Sequence, residues 1–423
     1  MEQIWNLKSI ISYQRLRNKK FVVVFVDFKK AYDSIDRTVL FQILEEMGLD
    51  GKTLAIVQKT VCGTTSKVKF RGEISEAFEI KTGVRQGDGL SPVLFNCVLE
   101  KVIREWRKEM NEESDKGGIR MGYKNRGIRV DCLAFADDLA LFSESLETAT
   151  IQMEVLKKQA EKAGLQISFE KTEFITNIKP EPRNLVIGGQ KIKHTKKFKY
   201  LGEWIVPNLS EKEAIKIRIN KMEAAYHLSR NVYNKKSLSF RAKLKHYCTV
   251  VRPEALYATE CLTMNKKSQM EELEIRERKI LRKILGPVKE NGEYRRRHNC
   301  ELYKHVEKIT DIIRKRRISF YGHMMRMDQQ RLTGQIFSYF LDKKCRSGWF
   351  EEVERDMHEM EISQTDVMDR DVFRRKVGAI GDFRERPKLK TGKPWTEERR
   401  ERHRELMKEH WARVKKRDIG QLE

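Results

Sequence analysis

Phe21-Val22-Val23-Val24-Phe25-Val26 is an unbroken apolar run, and it ends on a carboxylate, Asp27. Six residues are too few to span a bilayer. The β-branched content and the absence of alternation predict a strand over residues 20–27 that is buried on both faces. A strand of that kind needs neighbours on each edge and cover on each side, which restricts the chain to a layered sheet-and-helix fold. A second run, Leu133-Ala134-Phe135-Ala136-Asp137-Asp138-Leu139-Ala140-Leu141-Phe142, is also apolar except for two adjacent aspartates. Unpaired buried carboxylates are costly, and two side by side repel. Two readings stand. The pair is either a solvated hairpin turn or a site where a divalent cation neutralises both charges, since Mg²⁺ takes hard oxygen ligands between carboxylates and substrate phosphates. Asp27, at the end of another buried strand, can lie beside that turn in one sheet. Three such carboxylates suit two metals and an in-line phosphoryl transfer.

The remaining patterns give alternating α and β in the first half. Ile35, Val39, Ile43 and Met47 mark a helix with Ser34 as cap and Gly48 as stop. Short strands flank Gly72 over residues 67–82, like a hairpin. Residues 90–107 read as a helix with Pro92 in the first turn. Strands are expected over 129–143, on either side of Asp137-Asp138. A helix over 146–163 ends at Gly164, and short strands follow over 165–178 and 185–205. The second half reads as long helices, about 211–234, 239–263, 268–285 and 300–327, then a Gly/Pro/basic linker near 381–395 and a charged helix over 396–416. No internal repeat is present.

Charge narrows the partner. Across 423 residues, 87 Lys and Arg face 62 Asp and Glu, a net +25. The excess is uneven: residues 1–210 carry net +7 and residues 211–423 net +18. Mean hydropathy is −0.66, which excludes an integral membrane protein built on apolar helices, and the large positive charge points to a polyanion, nucleic acid before a membrane surface. Seven scattered cysteines with no C-x-x-C pair argue against a disulfide scaffold or a Cys-based zinc site. The start is not a signal peptide, so an intracellular protein is expected, in nucleus or cytoplasm.

Five segments, in order, resemble one family. Val26-Asp27-Phe28-Lys29-Lys30-Ala31-Tyr32-Asp33-Ser34-Ile35-Asp36-Arg37 looks like motif A of reverse transcriptases. Gly83-Val84-Arg85-Gln86-Gly87-Asp88-Gly89-Leu90-Ser91-Pro92-Val93-Leu94-Phe95-Asn96 looks like motif B, and Phe135-Ala136-Asp137-Asp138 like motif C. Gly164-Leu165-Gln166-Ile167 with Lys171-Thr172 resembles motif D, and Phe198-Lys199-Tyr200-Leu201-Gly202 resembles motif E, the primer grip. The phrasing is that of non-LTR, LINE-type retrotransposon enzymes, and the likeness covers about residues 1–205. Tyr321-Gly322-His323-Met324-Met325-Arg326-Met327 resembles the C-terminal region of the same elements more weakly.

The resemblance implies an α+β fold: an antiparallel palm sheet with packed helices and partial fingers over residues 1–205, a helical thumb-like region over 206–330, and a basic helical C-terminal region over 331–423. It implies RNA-directed DNA polymerisation on an RNA template, with a DNA primer or target DNA and dNTPs, and with two Mg²⁺, or Mn²⁺, held by Asp27, Asp137 and Asp138. Lys171 would protonate the departing pyrophosphate. Phe28, Tyr32, Arg85, Gln86 and Gly87 would contact the nucleotide, Tyr32 rejecting a 2′-hydroxyl. Tyr200, Leu201 and Gly202 would hold the primer. Arg295, Arg296, Arg297, Arg314, Lys315, Arg316 and Arg317, interleaved with Tyr294, Tyr303, Phe320 and Tyr321, would grip nucleic acid backbone; a solvated helix face is the alternative. Gly83, Gly87 and Gly89 would permit tight backbone near the nucleotide. Asp88-Gly89 replaces a common Cys-Pro, and Ser168 replaces a common Asn. With 26 residues before Asp27, fingers and endonuclease are expected to be missing, so a catalytically inactive nucleic-acid-binding remnant remains the alternative function.

Overall fold

The computed structural model describes residues 1–113, 117–122, 127–263, 267–342 and 348–378. The linker near 381–395 and the helix over 396–416 lie outside them. The described residues form two compact units: those within 6–209, and those within 210–378 together with Met1–Trp5.

In the first unit the apolar run becomes the central strand Val22–Val26, buried throughout. It pairs antiparallel with Asp138–Ser143 on one edge and with Glu173–Thr176 on the other. Cys132–Phe135 extends the first side, and Gln190–His194 and Asn184–Ile187 the second, giving six strands. The sheet is not wholly antiparallel, because Gln190–His194 runs parallel to Glu173–Thr176. The helices Ser91–Glu113 and Leu146–Lys162 supply Leu94, Phe95, Val98, Trp106, Met153 and Leu156 to the core beneath Val22, Val24 and Val26.

Local chemistry moved several boundaries. The expected helix from Ser34 is two pieces, Ala31–Ser34 and Arg37–Glu46. Asp36, not Ser34, caps the second, accepting from Thr38 and Val39 N–H at 2.8 and 3.1 Å. The hairpin around Gly72 forms as Lys69–Phe70 with Glu73–Ile74, and its base is continued by Thr64–Ser66 with Phe78–Ile80.

The second unit is mostly helical, but its long helices are broken. The 239–263 segment divides into Phe240–His246, a wide π turn at Tyr247–Val251, and Pro253–Leu256. Pro253 lacks the N–H to continue the ladder. The 300–327 segment becomes Asn299–Leu302 and Ile309–Met325, and an unforeseen hairpin, Val288–Glu290 with Glu293–Arg295, precedes it. Gly322 is needed on Ile309–Met325: a Cβ there would lie 2.4 Å from the Phe373 ring. Trp5 packs among Phe337, Trp349 and Phe350. No described helix is long and apolar enough to cross a membrane.

Glu277 is fully buried in this unit, where its carboxylate accepts from Tyr247 and Tyr303 hydroxyls and Ile309 N–H at 3.1, 3.2 and 3.1 Å. Burial nevertheless pushes its carboxyl up to about 7 against those donors and Arg252. A raised acid pKa in the folded state means its stability contribution is present below the unfolded value near 4.5 and is lost as pH rises through about 7. Glutamine mimics the neutral acid, its Nε2 donating to Tyr247 Oη while its oxygen accepts from the other two. Urea melts of wild type and Glu277→Gln at pH 4.5 and 8 should therefore diverge, the wild type losing about 3 kcal/mol more across that range. Parallel pH profiles would remove the buried acid as the cause.

Candidate active site

The carboxylates gather because of strand register. Val26 pairs with Leu139, and Phe135 pairs with Asp138 across a two-residue turn of Ala136 and Asp137, Ala136 adopting φ 51°. One step further along the central strand, Asp27 comes level with Asp138. On the other edge Phe25 pairs with Glu173, so two steps further along the strand Asp27 comes level with Lys171. The aspartate ending the central strand is thus flanked by an acid hairpin and by a lysine.

Its backbone is fully tied. Asp27 N–H donates to Thr172 Oγ1 at 3.2 Å, and its carbonyl accepts from Ser168 N–H at 2.7 Å. Lys29 N–H donates to Gln166 O at 2.7 Å, and Phe28, buried, bridges to Ile167. Ser168, the departure from the expected asparagine, therefore acts through its backbone. The Asp27 side chain is left available. Its Oδ2 is closed to solvent and has no hydrogen-bond donor, and Lys171 Nζ approaches only to 3.8 Å.

Electrostatics reflect that crowding. Burial raises the Asp27 carboxyl above the usual aspartate range, Lys171 opposes the rise, and the charge of Asp137 adds to it. Asp138 is raised by partial desolvation, then by Asp137 and Asp27. A cation would relieve both. Among the described residues no group of three His, Cys, Asp or Glu side chains is placed to hold an ion by itself. The Asp27 oxygen without a donor is chemically suited to a hard cation such as Mg²⁺, which commonly takes one or two carboxylates together with substrate phosphates.

Tyr32 stacks on Phe95, ring centroids 4.9 Å apart at 22°, and its hydroxyl is held above the usual tyrosine range by burial and by Asp137. The motif B loop docks directly on this segment. Gly83 N–H donates to Ile35 O at 2.9 Å, Val84 N–H to Tyr32 O at 2.8 Å, and Thr82 Oγ1 to Asp33 O at 3.1 Å. Arg85, Gln86 and Gly87 follow, all exposed. Gly83 and Gly87 take positive φ, 75° and 92°; Gly89 does not, so the special geometry expected there is not needed. Asp88 finds a use: its Oδ1 accepts from Leu90 N–H at 3.1 Å and turns the chain into Ser91–Glu113.

The 198–205 segment forms a hairpin with Leu201 and Gly202 at φ 47° and 82°. Tyr200 is buried, its ring on Phe25 and its hydroxyl raised by burial and by Asp138. Phe198 stacks on Phe25 at 4.0 Å, fixing the hairpin against the sheet, and Lys8 of the helix Glu2–Leu16 pairs with Glu203 at 2.9 Å. Lys8 and Thr172 carried no signal of these roles in the sequence, because both act on positions far along the chain.

The basic clusters divide. Arg317 is buried and paired with Glu352 and Asp356, so it does not face a nucleic acid. Arg314 pairs with Asp356 and Glu359, Lys315 with Glu307, and Arg316 donates to Leu256 O. Arg295 is held by Glu290 and Glu301, and Arg297 donates to Gly286 O. Tyr303, Phe320 and Tyr321 are buried. Arg296, Arg316 and Tyr294, the last 73% exposed, lie at the surface.

Residues 2–205 match the reverse transcriptase (RNA-dependent DNA polymerase) family. The chain is 30% identical over 138 residues to a Pol polyprotein from the type-1 retrotransposable element R2 of Popillia japonica, covering 33% of this chain and 21% of that protein. It is 25% identical over 317 residues to an RNA-directed DNA polymerase from the mobile element jockey of Drosophila funebris, covering 69% and 31%. A solved telomerase from Candida albicans, in complex with a fragment of telomeric RNA, aligns with TM-score 0.40 and 14% identity, covering 83% of this chain and 52% of that one. The chain thus spans about a fifth to a third of the length of these two retroelement relatives.

Proposed function

Because residues 2–205 are a LINE-type reverse transcriptase domain, we propose that the chain extends a DNA primer on an RNA template, consuming dNTPs. The observation that carries this reading is the Asp27 carboxylate, level with Asp138 on one side and Lys171 on the other, with one oxygen lacking any donor. Asp27, Asp137 and Asp138 would hold two divalent cations, Mg²⁺ or Mn²⁺, which supply charge neutralisation at the α-phosphate and at the departing oxygen. Asp27 and Asp138, with raised carboxyl pKa values, lose their mutual repulsion when that charge is met. The Lys171 ammonium, 74% exposed, would carry the proton that the pyrophosphate takes. Tyr32, backed by Phe95, would bound the sugar and exclude a 2′-hydroxyl. Arg85, Gln86 and Gly87 would lie along the nucleotide, and the hairpin of Tyr200, Leu201 and Gly202 would support the primer strand. In the helical unit, Arg296 and Tyr294 are the members of the basic and aromatic set best suited to backbone contact and base stacking.

The test is primer extension by the full chain on poly(rA) and oligo(dT) with dTTP and Mg²⁺, with Asp137→Ala as control. Extension by the wild type alone is expected. An RNA-bound but inert wild type would make the chain a binding remnant and overturn the polymerase reading.

A further inference from the structure

Arg37 occupies a position that helix electrostatics disfavour. It is the first residue of the helix Arg37–Glu46, at the positive end of the dipole. Among the described residues it pairs with no carboxylate. Its guanidinium instead donates from Nε to Gly83 O at 2.9 Å, from Nη1 to Ile80 O at 2.7 Å, and from Nη2 to Thr82 O and Thr64 Oγ1, both at 3.3 Å. Four acceptors on two distant segments converge on one planar cation. They belong to the base of the 64–80 ribbon and to the strand leading into the Gly83–Gly89 loop. The same arginine lines a shallow recess with Thr60, Arg85, Asp88 and Ser91.

We propose that Arg37 is a positioning residue that holds the residue 83–89 loop against Tyr32, and thereby sets the nucleotide-facing register of Arg85 and Gln86. Two backbone bonds join the loop to the Tyr32 segment, Gly83 N–H to Ile35 O and Val84 N–H to Tyr32 O. Without the contacts of Arg37 to the carbonyls of Gly83, Ile80 and Thr82, the loop would hang on those two bonds and on the Thr82 Oγ1 bond to Asp33 O. Arginine is suited to this because its fork of donors is rigid and planar, whereas a lysine ammonium is a single point. The clamp concerns loop geometry, and only its kinetic consequence rests on the polymerase reading above.

Hydrogen–deuterium exchange on the full chain, wild type and Arg37→Met, separates the possibilities. Exchange in peptides spanning 80–90 should accelerate about tenfold, while peptides over 22–27 and 132–143 stay at wild-type rates. In primer extension, KM for dTTP should rise about tenfold with kcat within about twofold. Arg37→Lys should fall between the two, and it carries the same comparison if the methionine variant does not fold. Unchanged exchange over 80–90, or acceleration spread equally over the central sheet, would overturn the clamp. A lowered kcat at constant KM would overturn its role in nucleotide placement. If the wild type extends no primer, the polymerase reading fails by that result, and the exchange comparison alone decides the clamp.

Discussion

Asp27→Asn should abolish primer extension, by about 10³-fold or more, without lowering the melting temperature of the chain. The size follows from the several kcal/mol that metal-held carboxylates contribute to phosphoryl-transfer transition states, at tenfold per 1.36 kcal/mol. The stability half follows from the sign of the pKa shift. The Asp27 carboxyl is raised in the folded chain by burial and Asp137, with Lys171 in opposition. A raised acid contributes stability that is present below its unfolded pKa and lost as pH climbs through the folded value. At neutral pH the ionised side chain is therefore a cost to the fold, and the amide removes that cost along with the repulsion. Its backbone bonds to Thr172 and Ser168 do not involve the side chain and should persist. Differential scanning fluorimetry beside the extension assay reads both halves. Loss of synthesis together with a clear drop in melting temperature would mean that Asp27 holds the sheet end together rather than serving the reaction.

Gly83→Ala should destabilise the first unit by about 3 kcal/mol, since left-handed strain and overpacking against backbone each cost one to a few kcal/mol. Gly83 has φ 75°, and a Cβ there would lie 2.5 Å from Asp33 Cα and 2.6 Å from its carbonyl carbon and oxygen. Those atoms are backbone, so no rotamer change relieves the overlap. The loop must lift, and the bonds from Gly83 to Ile35 and from Val84 to Tyr32 go with it. Gly87 is the internal control. Its φ is 92°, yet nothing lies within 4 Å of the position a Cβ would take. Gly87→Ala should then cost about 1 kcal/mol, the strain alone. Urea denaturation of the two variants measures the difference, and equal costs would show that the loop is not seated on Asp33.

The glycines of this loop mark how far a sequence can be read. Gly83, Gly87 and Gly89 look alike as letters, but only the first touches another segment, and only the first two leave ordinary φ. The basic clusters divide in the same way. Arg317 has the composition of a phosphate contact and the environment of a core ion pair, because Glu352 and Asp356, 35 and 39 positions later, fold against it. Ser34 and Asp36 compete as caps over two residues, and the outcome depends on where Ile35 turns outward at ψ 128°.

What the sequence by itself determined is local chemistry. An unbroken β-branched run has to be an interior strand, carboxylates at the ends of apolar strands have to be charge-compensated or solvated, and five ordered motifs carry the family. These follow from desolvation cost and side-chain periodicity, which act within a few residues. What only the tertiary structure decided is which groups meet. Asp27 level with Asp138 and Lys171, Arg37 on the carbonyls of residues 80–83, Lys8 on Glu203 and Glu277 among two tyrosines all join positions dozens to nearly two hundred residues apart. Register and packing set those meetings, and a one-residue slip of the central strand would take its terminal aspartate out of level with Asp138 and Lys171.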